Sequence, residues 1–72
     1  MTWEEFVKKA KKLGYHEGEI VVNGIMWLIK NNGDFDLCFN NKGEVLLSGD
    51  EEYTLAKDKT TDQMFAIMEV LQ

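Results

Sequence analysis

The chain has no proline and no arginine, and only one cysteine, one histidine and one serine among its 72 residues. Each shortage excludes something. Without proline there is no slow X-Pro isomerisation during folding and no stiff proline-rich linker. A single cysteine, Cys38, allows no internal disulfide and matches no paired-cysteine redox or zinc spacing. Without arginine the chain lacks the side chain that grips guanine and phosphate with two parallel hydrogen bonds. His16 and Ser48 have no visible partners, so a Ser–His–acid triad has little to be built from. The longest apolar run, Ile25 to Ile29, is far short of the ~20 residues that span a bilayer. The first residues, Met1-Thr2-Trp3-Glu4-Glu5, do not form a basic segment followed by an apolar one, so they do not read as a signal peptide. The expectation is a cytoplasmic protein with no membrane partner.

What is present fits one small domain spanning residues 1–72. A chain this short buries only ~60% of its unfolded surface, so its stability should be modest. Thirteen acidic residues against eight lysines leave a net charge of −5. The charge is uneven. Residues 1–16 hold four lysines and two glutamates, whereas residues 17–72 hold four lysines and eleven acids.

Both ends of the chain read as helices. Thr2 with Glu5 three residues on forms a capping-box pattern. Trp3, Phe6, Val7, Ala10 and Leu13 then recur at helical spacing, with Lys8, Lys9, Lys11 and Lys12 on the other side. Gly14 offers a left-handed stop. Glu4–Lys8 and Glu5–Lys9 stand at the i, i+4 spacing of helix-stabilising ion pairs. At the other end Thr60 and Gln63 repeat the capping box, and Met64, Phe65, Ile67, Met68 and Leu71 form a broad apolar face.

Between the helices, Asn23-Gly24, Asn31-Asn32-Gly33 and Asn41-Lys42-Gly43 mark turns at an almost even beat. The segments between them predict strands near 19–22, 25–30, 34–40 and 44–48, with an edge piece at 53–56. Residues 19–31 could instead be a helix, but their apolar residues would point in every direction. The fold class is therefore α+β. It is a two-layer sandwich of helix, antiparallel meander of three or four strands, and helix, with both helices on one sheet face.

Loop length decides which strand residues are buried. A three-residue Asn31-Asn32-Gly33 loop sets Ile29 opposite Phe35 and Trp27 opposite Leu37. A two-residue Asn32-Gly33 loop turns Trp27 outward beside Cys38. The first is preferred because it gathers Ile25, Trp27, Ile29, Phe35, Leu37, Phe39, Val45 and Leu47 into one core. A three-residue Asn41-Lys42-Gly43 loop likewise sets Phe39 opposite Val45. On this reading Met26, Leu28, Cys38 and Leu46 lie on the uncovered sheet face and form a candidate protein contact, for a partner or for a weak homodimer.

No residue set asks for catalysis, a cofactor or a metal. The six glycines read as turns and caps, not as a phosphate cradle. Asp50-Glu51-Glu52 lacks the ligand series of a calcium loop. The order of elements is similar to that of double-stranded-RNA-binding-like toxins of the HicA type. Those carry a Gly-Ser-His motif and a basic surface; here the only histidine, His16, follows the first helix. In length, acidity and layout the chain is also similar to small acidic phage inhibitors that block host nucleases by mimicking DNA charge. Three functions follow as expectations. The first is a non-catalytic protein–protein interaction module, phage or mobile-element encoded. The second is an acidic inhibitor acting through Asp50, Glu51, Glu52, Asp58 and Asp62. The third is a toxin–antitoxin-like RNA-binding protein using the helix-one lysines. Net acidity makes nucleic acid the least favoured partner.

Overall fold

The computed structural model describes residues 1–18 and 23–71. Among these, helix α1 (Trp3–Lys12) is followed by strands β1 (His16–Glu17), β2 (Trp27–Asn32), β3 (Phe35–Asn40), β4 (Val45–Ser48) and β5 (Glu52–Ala56), then helix α2 (Thr61–Val70). The strands form one antiparallel sheet in the order β1-β2-β3-β4-β5. The expected strand at 19–22 lies outside the described residues. β1 was not anticipated, and the helical alternative for 19–31 fails over the part that forms β2.

Both capping boxes form. The Thr2 hydroxyl accepts from the Glu5 amide and the Thr60 hydroxyl from the Gln63 amide, each at 3.1 Å, while Glu5 and Gln63 reach back to the cap amides. Gly14, at φ +95°, turns the chain out of α1. The Glu4–Lys8 and Glu5–Lys9 pairs do not form; the salt bridges among the described residues are Met1–Asp62 and Lys11–Glu17. Glu5 is held by the cap, and the Lys9 ammonium sits 5.4 Å from the Phe65 ring centre.

The β2–β3 hairpin departs from both expected loops. Its loop is Gly33-Asp34, with Asn32 opposite Phe35, Lys30 opposite Leu37 and Leu28 opposite Phe39. Gly33 has φ +73° and Asp34 has no positive φ, which is the arrangement of a type II′ turn with glycine first. Asn31 Nδ2 braces the turn by donating to the Gly33 carbonyl at 3.2 Å and to Asp36 Oδ1 at 3.1 Å. Ile29 faces Cys38 instead of Phe35, a slip of three residues, so every β2 side chain changes face. Trp27 and Ile29 therefore leave the expected core, and Leu28 enters it.

The core is made by Phe6 and Ala10 of α1, Leu28, Leu37, Phe39 and Val45 of the sheet, Met64 and Met68 of α2, and Tyr15. Because all four sheet residues share a face, both helices cover that face. Phe39 is fully buried and meets Phe6 and Tyr15 edge-on, with ring centres 6.2 and 5.5 Å away. Lys30 also points to this face, at the end where α1 stops. Its ammonium donates to the Leu13 carbonyl at 2.8 Å, where α1 leaves carbonyls without intrahelical partners. Phe35 shares the core face by alternation but is 38% exposed, its ring lying against Gly49.

The β3–β4 loop forms as expected, with Phe39 opposite Val45 and Leu37 opposite Leu47. Asn40, wholly buried, organises it: Oδ1 accepts from the Lys42 and Glu44 amides, and Nδ2 donates to Glu44 Oε1. Gly43 then receives the β5–α2 connection, its carbonyl accepting from the Lys59 amide at 3.0 Å.

Candidate contact surface

Strand alternation and the observed register together define the sheet face away from the helices. One row across it is His16–Ile29–Cys38–Leu46–Thr54. Beside it runs Asn31–Asp36–Ser48–Glu52, and on the other side Trp27 stands opposite Asn40. The expected set of Met26, Leu28, Cys38 and Leu46 is thus split. Cys38 and Leu46 are on this face as neighbours. Leu28 is fully buried beneath the helices, and Met26 borders a groove beside Trp3 and Val7 of α1. Trp27 and Ile29 take their places, because the type II′ turn reverses the parity of β2.

Cys38 and Leu46 are each only 8% exposed and form the floor of a shallow depression of about 260 Å³. Trp27 and Ile29, both half-buried, border it on one side, and Ser48 and Glu52 on the other. A Cβ on Gly18, next to Trp27, would touch both Trp27 and Ile29 at 3.4 Å. Burial pushes the Cys38 thiol above its ordinary range, with Asp36 and then Glu52 adding to the effect through their charge. A thiol held protonated is a poor nucleophile.

The five acidic residues of the inhibitor reading do not converge. Asp50, Glu51 and Glu52 lie where β4 turns into β5, whereas Asp58 and Asp62 follow the opposite end of β5. The strand between them is five residues long, which separates the groups by roughly 15 Å or more. Asp62 also accepts from the Met1 amino group at 2.9 Å, and Glu51 from the Tyr53 hydroxyl. Asp34, Phe35, Asp50, Glu51 and Tyr53 share a pocket at the turn end of the sheet, a grouping that sequence spacing does not reveal.

The lysines of α1 lie in the helix layer, away from the outer sheet face. Lys11 pairs with Glu17 at 3.6 Å, and Lys9 is drawn over Phe65. His16 is exposed on the outer face, with the Glu17 carbonyl 3.3 Å from its ring nitrogen. Among the described residues no three His, Cys, Asp or Glu side chains converge closely enough to hold a metal ion, and no helix is long and apolar enough to cross a membrane. No family model, curated protein or solved structure matches the chain.

Proposed function

We propose that the protein is a non-catalytic interaction module that binds another protein through the outer face of its sheet. The observation that supports this is the apolar row Ile29–Cys38–Leu46, with Trp27 beside it, on the face opposite both helices. Trp27 and Ile29 keep part of their surface in solvent there, and among the described residues no helix covers this face; apolar side chains gathered at such a surface are a common mark of a contact site. The inhibitor reading is weaker, because its carboxylates are divided between the two ends of β5.

A photo-crosslinking amino acid at Thr54, exposed on the outer face, tests the reading in cells that make the protein. The same group at Lys12, exposed on α1, is the control. The expected result is a discrete protein adduct from Thr54 that Ile29→Lys abolishes while the fold, checked by circular dichroism, is kept. Equal adducts from Lys12, or an adduct untouched by Ile29→Lys, would remove the outer face from the function.

A further inference from the structure

The outer face has a sign as well as an apolar centre. At its strand positions the described charged residues are Asp36 and Glu52, which flank Ser48 in one row. None of the eight lysines occupies such a position. Lys8, Lys9, Lys11 and Lys12 belong to α1, Lys30 points to the core face, and Lys42, Lys57 and Lys59 lie in connections. Adjacent strands are about 4.8 Å apart, so the two carboxyl-bearing positions stand roughly 10 Å from each other. Asp36 is held in place by Asn31 Nδ2 at 3.1 Å, and Glu52 is exposed at the rim of the depression.

We propose that this depression receives an arginine or lysine side chain from a basic segment of a partner protein. The proposal rests on the reading of the outer face as the contact surface and names the partner's chemistry. The aliphatic stem would lie on Cys38 and Leu46, as long cationic side chains do on apolar ground. The charged head would reach Glu52, with Asp36 beyond Ser48 in the same row, and Trp27 offers an aromatic surface across the depression. A second copy of the chain is the less suitable occupant. Its own outer face would bring two more carboxylates and no lysine from a strand position. The charge of the whole chain, −5, opposes self-association in the same direction.

The test uses the intact protein and three capped peptides, each of alternating leucine with arginine, citrulline or glutamate. Binding is followed by backbone amide chemical shifts in solution. The arginine peptide is expected to shift Ile29, Cys38, Leu46 and Glu52. Citrulline should weaken binding at least threefold, and glutamate should abolish it. Glu52→Gln, at an exposed strand-edge position that leaves the fold intact, should weaken the arginine peptide by a similar factor. Raising salt from roughly 50 to 500 mM should weaken wild type more than the variant, because rim charges are screened. Equal binding of arginine and citrulline peptides, shifts confined to α1 or α2 instead, or no binding at millimolar peptide would overturn the proposal. So would sedimentation as a dimer whose interface includes Ile29. If the peptides fail while the Thr54 adduct remains sensitive to Ile29→Lys, the contact face stands and only its cationic preference falls.

Discussion

Leu28 is fully buried, while its chain neighbour Trp27 keeps part of its ring in solvent on the other face. The smaller side chain should therefore matter more to stability. Leu28→Ala leaves a cavity among Phe39, Tyr15 and the helices and should cost about 2–5 kcal/mol. Trp27→Ala opens no enclosed cavity and should cost less, a reversal of what side-chain size alone suggests. Urea unfolding of the two variants checks the order. Cys38 and Tyr15 allow a second test. Burial raises both groups above their ordinary pKa values, so the native state holds their protons longer than the unfolded chain does. The stability they contribute is complete below the unfolded thiol pKa of about 8.5. It is lost as pH rises through the folded values. Unfolding midpoints should fall as pH rises above about 8.5, and Cys38→Ala should make the first part of that fall shallower. An unchanged slope would mean that Cys38 titrates as freely in the native state as in the unfolded chain.

At the scale of elements, turns carry most of the specification, and their glycines are not equivalent. Gly24 and Gly43 both have positive φ, +74° and +84°. A Cβ on Gly24 would meet nothing within 4 Å, whereas one on Gly43 would lie 2.2 Å from the Lys59 carbonyl oxygen. Gly24→Ala should therefore cost only the left-handed backbone penalty, about 1–2 kcal/mol. Gly43→Ala must also push away the β5–α2 connection and should cost clearly more, with loss of protection at the Lys59 amide in hydrogen exchange. Equal costs would show that the connection moves freely. The helices and the β3–β4 hairpin were legible because each had one local solution: Thr2 with Glu5, Thr60 with Gln63, and the loop from Asn41 to Gly43. Asn31-Asn32-Gly33-Asp34 had several. Glycine can close one loop as its last residue or open another as its first, and both satisfy local turn chemistry. Maximising aromatic burial favoured the wrong one, because it ignored Lys30. In the observed register Lys30 closes the end of α1, a tertiary contact with no signal in strand periodicity. The candidate surface inherited the error: Cys38 and Leu46 followed from the legible β3–β4 hairpin, while Met26 and Leu28 stood or fell with β2.

At the scale of the whole molecule the lysines of α1 and the carboxylates of the outer sheet face lie on opposite sides, although the helices carry acids as well. The α1 lysines are on the helix side, and the acidic row is on the outer sheet face. A nucleic acid approaching the α1 lysines would find a weak anchor. Lys11 is paired with Glu17, Lys9 is held over Phe65, and Glu4 and Glu5 occupy the first turn of the same helix. Phosphate binding gains affinity chiefly by releasing counterions from several neutralised phosphates, and the two α1 lysines without a partner among the described residues, on a body of net charge −5, supply little of that. No measurable binding to duplex DNA or duplex RNA is therefore expected in fluorescence anisotropy at physiological salt with tens of micromolar protein. Weak binding that appears only at low salt would agree with this account. Micromolar binding at physiological salt, lost when Lys8, Lys9, Lys11 and Lys12 are all changed to glutamine, would instead make the helix layer the working surface and displace the outer sheet face from that role.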